Sequence, residues 1–193
     1  MCDTYLNALA PEESRVQDHL ARMTLEEKFA QLRMNNRITH FLADETLTDA
    51  NFEERFSEIY DPDRIGCCYL SMDADPVLVN KVQEYTLAHN RLRIPTLVMG
   101  ESLHGSMMTG ATVFPQCIGL GGTFDPELVG QIAEVCSKDS RAFGIRMTYA
   151  PNLDISQEPR WGRVEENYGE DPYLTSRMAV AYVKNIQAQG VSA

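Results

Sequence analysis

The sequence predicts an α/β protein built on a parallel sheet, and three observations carry that expectation. Short apolar runs recur at residues 65–70, 94–99 and 147–150, each with the length and continuity of a strand buried on both faces. Amphipathic segments lie between and after them, and three of these open on the same dipeptide: Asp75-Pro76, Asp125-Pro126 and Asp171-Pro172. In each, a carboxylate caps the first free amides and a proline occupies the turn where its missing N–H costs nothing. Strands separated by such helices must run parallel, because each helix crosses over and covers a sheet face.

The elements follow in order. Thr24-Leu25-Glu26-Glu27 fits a capping box, and with Phe29, Leu32 and Arg33 it predicts a first helix over residues 24–34. Residues 35–64 are polar, carry Phe41, Phe52, Phe56 and Tyr60 singly, and suit short helices or a long surface loop. The strand at 65–70 leads into a helix from Pro76 with Val77, Val79, Val82 and Leu87 as its apolar residues. The strand at 94–99 is followed, after a long connection, by a helix from Pro126 carrying Leu128, Ile132, Val135 and Phe143. The strand at 147–150 precedes a helix from Pro172, on which Leu174, Met178, Tyr182 and Ile186 recur every four residues and share one face. A fourth strand should begin at Gly190-Val191-Ser192-Ala193. Three and a half such units do not close an eight-stranded barrel of roughly 250 residues. The pattern therefore leaves two architectures open, a small open sheet and the front part of something larger. No shift in composition divides residues 1–193 into two domains.

Composition narrows the function. The chain has 28 acidic against 17 basic residues, a net charge of −11, and its lysines and arginines are scattered among the acids rather than gathered in one stripe. No phosphate-neutralising surface is visible, so nucleic acid is a poor partner. No apolar stretch approaches the roughly 18 residues of a membrane span, so no membrane is expected either. The five cysteines, Cys2, Cys67, Cys68, Cys117 and Cys136, have no C-x-x-C spacing, which argues against structural disulfides and zinc. Residues 1–10 show no positive stretch leading into an apolar one, so a cytoplasmic protein is expected if Met1 is the native start; a removed leader would leave the same observation.

In a parallel sheet, chemistry gathers beyond the strand C-termini. The strand at 94–99 runs straight into Gly100-Glu101-Ser102-Leu103-His104-Gly105, which puts the Glu101 carboxylate at a strand end between glycines that would let a ligand approach. A loop cap or salt bridge is the equally weighted alternative for that carboxylate. The strand at 147–150 runs into a loop that holds the chain's one tryptophan, Trp161, with Arg160, Arg163 and six carboxylates, among them Asp154 and Glu158. Guanidinium forks donate to vicinal hydroxyls, carboxylates accept from them, and an aromatic face packs on C–H groups, so the mixture suits a polyhydroxylated neutral ligand. For most of these acids, Glu165 and Glu166 included, ion pairs within the loop are the better expectation. Gly119-Leu120-Gly121-Gly122-Thr123 misses the phosphate-loop spacing. His19 and His89 sit on helical surfaces without metal-ligand spacing, Cys136 reads as a small buried apolar residue, and Met107-Met108 reads as packing.

Five motifs in order complete the picture: Gly100-Glu101-Ser102-Leu103-His104-Gly105; Ala111-Thr112-Val113-Phe114-Pro115-Gln116; Ala150-Pro151-Asn152-Leu153-Asp154; Pro159-Arg160-Trp161-Gly162-Arg163; and Tyr168-Gly169-Glu170-Asp171-Pro172-Tyr173-Leu174. Together they closely resemble the N-terminal domain of glycoside hydrolase family 3, from about residue 23 to residue 193. The resemblance implies the first part of a (β/α)8 TIM-like barrel, incomplete over residues 1–193, followed in an intact enzyme by the rest of the barrel and a second α/β domain. It implies exo-acting, retaining hydrolysis of terminal non-reducing β-linked sugars, with an oligosaccharide or β-glycoside as the partner and no metal or organic cofactor.

Carried over by motif, Glu101 matches a sugar-binding carboxylate that is more often Asp in the family, and Arg163 matches the arginine that reaches the same sugar. Asp154 and Trp161 match loop positions that support this arginine. The family's Lys-His pair, its nucleophile and its acid/base all fall beyond Ala193, so no catalytic residue is expected within this chain. A β-glucosidase-type activity is the leading expectation. The longer Glu101 fits β-xylosidases as an alternative, and β-N-acetylhexosaminidases are disfavoured by the W-G-R and Tyr-Gly-Glu-Asp-Pro motifs. An inert truncated or carbohydrate-binding fragment is the alternative from a different class.

Overall fold

The computed structural model describes residues 3–35, 37–70 and 74–193. Its centre is a four-stranded parallel sheet in sequential order: β1 (Met34–Asn35), β2 (Cys67–Tyr69), β3 (Leu97–Gly100) and β4 (Met147–Thr148). The register runs Met34 to Cys67, Cys67 to Leu97 and Met99 to Met147. Strand order decides between the two architectures that the sequence left open. An open doubly wound sheet reverses its order at a switch point, whereas a barrel adds each strand beside the last. The observed order is that of a barrel arc. Ser192 continues it: its amide donates to the Arg146 carbonyl at 2.8 Å and its carbonyl accepts from the Thr148 amide at 2.9 Å, where the next strand was expected.

The helices that follow Thr24, Asp75, Asp125 and Asp171 start where the capping signals put them, and further helices stand where no such signal was read. α1 (Glu12–Arg22) and α2 (Leu25–Ala30) precede β1; α3 (Arg37–Leu42) and α4 (Phe52–Ser57) connect β1 to β2; α5 (Pro76–His89) connects β2 to β3. α6 (Cys117–Gly121) and α7 (Pro126–Ala142) connect β3 to β4, and α8 (Pro172–Ala188) follows β4. Asp75, Asp125 and Asp171 each accept from first-turn amides, and Thr24 closes a complete capping box with Glu27.

Three expectations are corrected. The helix foreseen over residues 24–34 stops at Ala30, and Met34 instead opens β1. The Thr24 box nucleates only two turns, Leu32 is left in solvent, and the chain turns to pair with β2. Residues 35–64 do hold short helices, but Phe41, Phe52, Phe56 and Tyr60 are not scattered surface rings. They stack into one buried cluster with centroids 4.9–5.7 Å apart. Val77, named among the apolar residues of α5, is exposed; Val79 and Val82 carry the packing of that helix.

The core has two parts. One lies between the sheet and α5 and is capped by the aromatic cluster; the other joins α6, α7 and α8 through Cys136, Met178, Tyr182 and Ile186. Cys67, Cys68, Cys117 and Cys136 are free thiols, and Cys2 lies outside the described residues. No helix is long and apolar enough to cross a membrane among the described residues.

Candidate active site

Parallel strands deliver their C-terminal ends to one edge, and the two loops singled out above both start there. Glu101 follows β3 directly and is half-buried. The connection after it folds back on itself: the Met107 amide donates to the Glu101 carbonyl at 3.2 Å and the Phe114 amide to the His104 carbonyl at 2.7 Å. Gly105 makes that return feasible. Its φ is +128°, and a Cβ there would stand 2.2 Å from the Thr112 carbonyl oxygen. At Gly100 a Cβ would meet the Ile145 side chain at 2.7 Å. Gly105 is thus required by the protein's own backbone packing, whereas at Gly100 the clash is with the far end of a side chain that can shift.

The loop after β4 passes a cis Ala150–Pro151 bond and is pinned by buried Asn167, which accepts from the Ser156 hydroxyl and donates to the Arg163 carbonyl at 3.3 Å. Arg163 sits at the start of a 3₁₀ turn, Val164–Glu166, and its Nε and Nη2 converge on the Glu166 Oε2 at 2.8 and 2.5 Å. Glu166 is held below the ordinary carboxylate range by this pair, against the opposing effect of burial. Glu101 is pushed above that range, first by burial and then by the Glu166 charge, while Arg163 pulls the other way. The Arg163 guanidinium in turn feels Glu166 first, then Asp154 and Glu101. Glu101, Arg163, Glu166 and Asp154 therefore form one electrostatic cluster. His104 belongs to it through its effect on Glu166.

Other candidates fall into place around this cluster. Asp154 is exposed, and its amide donates to the Asn152 Oδ1 at 2.9 Å. Trp161 is half-buried, at the turn where its amide donates to the Glu158 carbonyl at 3.1 Å. Glu158 is engaged by Arg160 through both oxygens at 2.8 Å, which lowers its carboxyl to about 2. The ion pairs expected within the loop thus exist for Glu158 and Glu166. Arg163, with Leu103, Tyr149, Pro151 and Asn152, lines an open groove of about 520 Å³ that runs toward Ala193. Glu101, Asp154 and Trp161 are not among the residues lining it.

Sequence reasoning left three things unfound: the partner of the Glu166 ion pair, Asn167, and the place of His104 in this cluster. The Arg163-x-x-Glu166 spacing is the signal that could have found the first, since groups three apart meet on one turn. Of the remaining candidates, Gly121 lies in a helix, where a Cβ would stand 2.0 Å from the Tyr168 carbonyl oxygen, so close packing explains the glycine run. His19 is packed on Tyr5, centroids 4.2 Å apart, and His89 lies on the α5 surface against Tyr85. Met108 is buried and Met107 partly exposed.

Chemically, a half-buried carboxylate and a guanidinium held by a second carboxylate offer acceptors and donors at one edge of the sheet. That arrangement suits neutral hydroxylated ligands.

Comparison with known proteins gives the family. The glycosyl hydrolase family 3 N terminal domain matches residues 24–193. A β-xylosidase of Formosa agariphila is 42% identical over 149 residues, 74% of this chain and 20% of the relative. A periplasmic β-glucosidase of Salmonella typhimurium is 32% identical over 183 residues, 94% of this chain and 22% of the relative. The crystal structure of a β-glucosidase from Listeria innocua superposes with a TM-score of 0.77 at 32% identity, covering 95% of this chain and 26% of that one. The chain thus spans about a fifth of the length of the first curated relatives it matches.

Proposed function

Because this chain belongs to glycosyl hydrolase family 3, we propose that it forms the front of the catalytic barrel of an exo-acting, retaining β-glycosidase of the β-glucosidase type, a glycoside hydrolase that removes terminal non-reducing β-linked sugars from oligosaccharides. In this reading the rest of the barrel and a second domain lie beyond residue 193. Glu101 accepts from hydroxyls of the terminal sugar and Arg163 donates to them. Asp154 adds to the field on Arg163, and Trp161 supports the same loop. Retention requires a nucleophile that forms the glycosyl-enzyme and an acid/base that protonates the leaving oxygen and later activates water. Both are assigned to the part of the protein outside this chain.

The observation that carries the proposal is the clustering of Glu101, Arg163 and Glu166 at the C-terminal edge of a sequentially ordered parallel sheet. A β-xylosidase is the second reading. It is favoured by the reach of Glu101, one methylene longer than the aspartate it stands for, into a pocket that would then lack room for a hydroxymethyl group. Hydrolysis of nitrophenyl β-glucoside, β-xyloside and β-N-acetylglucosaminide by the full-length protein separates the readings. Highest kcat/KM on the glucoside supports the first, highest on the xyloside the second, and no turnover of any of them removes both.

A further inference from the structure

Behind Glu101 lies a closed hydroxyl network that no charge or motif required. Ser102, Thr148 and Tyr182 come from the β3 end, from β4 and from α8, and are 0, 2 and 1% exposed. The Tyr182 hydroxyl donates to the Ser102 carbonyl at 2.6 Å; the Ser102 and Tyr182 hydroxyls are 2.7 Å apart, and those of Ser102 and Thr148 2.5 Å. The proton order follows from valence alone. A carbonyl only accepts, so the single phenolic proton goes to the Ser102 carbonyl. The Ser102 proton then goes to the Tyr182 oxygen, and Thr148 supplies its own to Ser102. Every hydroxyl proton in the triad is used, and the peptide immediately after Glu101 is fixed by one helix and one strand.

The geometry points to Tyr182 as a positioning residue for Glu101. Its phenol clamps the Ser102 peptide, and through that peptide it sets where the Glu101 carboxyl stands between Glu166, Arg163 and the two inward-facing rings, Tyr69 and Tyr149, on which its charge acts. The functional meaning rests on Glu101 as the sugar-binding carboxylate, but the positioning itself is testable without any sugar. A core packing role would require only the ring of Tyr182; a positioning role requires its oxygen.

The test is a carboxyl-carbon NMR titration of Glu101 in the 193-residue chain, compared among wild type, Tyr182→Phe, Thr148→Val, Thr148→Ser and Ile186→Val. Tyr182→Phe keeps the ring and orphans the Ser102 carbonyl. The Glu101 titration point is then expected to move down toward the ordinary carboxylate range as the loop loosens and water reaches the group. Thr148→Val should shift it the same way by less, and Thr148→Ser, which keeps the hydroxyl, should leave it in place. Ile186→Val weakens α8 without touching the network and should also leave it in place. An unchanged Glu101 titration in both Tyr182→Phe and Thr148→Val, or an equal shift in Ile186→Val, overturns the assignment. Failure of the full-length protein to bind or cleave a glycoside would remove the sugar role of Glu101 and leave this result standing.

Discussion

Arg163 holds its place through two contacts of different kinds: its carbonyl accepts from buried Asn167 and its guanidinium is gripped by Glu166. In the full-length enzyme, Arg163→Ala should lower kcat/KM on the best glycoside by about two to four kcal/mol, the usual loss when a donor that strengthens toward a charged transition state is removed. Arg163→Lys should restore little, because an ammonium cannot bridge Glu166 and a sugar as a planar fork does. Near-normal kcat/KM in Arg163→Ala would disprove the assignment.

Glu101 allows a second prediction, in pH. Its folded-state carboxyl is raised by burial, so folding favours the protonated form, and that contribution is lost as pH rises through the folded value. Glu101→Gln should therefore raise the thermal midpoint at pH 7, with the gain shrinking toward pH 3. A gain that grows on acidification would place the group in a different environment. Glu101 and Arg163 were legible from sequence because both follow strand ends. An ion pair at Glu166 was legible too, but not its partner, which the turn at Val164–Glu166 brings to it as Arg163.

Among the elements, the three Asp-Pro starts were fully legible because an N-cap is a local contract between one side chain and the next two or three amides. Asp171 accepts from both Tyr173 and Leu174 amides, at 3.1 and 3.2 Å. Asp171→Ala should cost about 1 kcal/mol, or roughly 2–4 °C in midpoint by circular dichroism. Met178 on the same helix is fully buried between α7 and α8, so Met178→Ala should cost about 2–5 kcal/mol. A Met178 effect no larger than that of the cap would show that α8 packs loosely. What sequence missed at this scale was in part non-local. β1 has two residues and exists only because β2 offers it a ladder. Phe52, Phe56 and Tyr60 recur every four residues, a helical stripe that the sequence reading passed over, whereas Phe41 joins them only through the folded connection between β1 and β2.

For the whole molecule, sequential parallel strands leave one sheet face turned toward the space that a complete barrel would enclose. Met34, Leu97 and Tyr149 are 47, 38 and 42% exposed there, and the Tyr149 hydroxyl touches the Met34 and Met99 sulfurs at 3.3 and 3.7 Å. An apolar surface of this kind should bind anilinonaphthalene sulfonate while far-ultraviolet dichroism remains α/β.

The 193 residues by themselves should hydrolyse neither nitrophenyl β-glucoside nor nitrophenyl β-xyloside. Retaining cleavage needs two carboxyl groups about 5 Å apart, one ionised and one holding a proton near neutral pH. Glu158 is kept ionised by Arg160 and Glu166 by Arg163, so neither stores a proton for a leaving oxygen. Glu101 is raised, but the carboxylate that acts on it, Glu166, already spends its Oε2 on the Arg163 guanidinium and is a poor nucleophile for that reason. Assay at high protein concentration against a buffer blank checks this. Turnover above the blank that vanishes in Glu101→Ala or Glu158→Ala would mean that this arc of the barrel carries its own acid and nucleophile, and that the chemistry has been assigned to the wrong part of the protein.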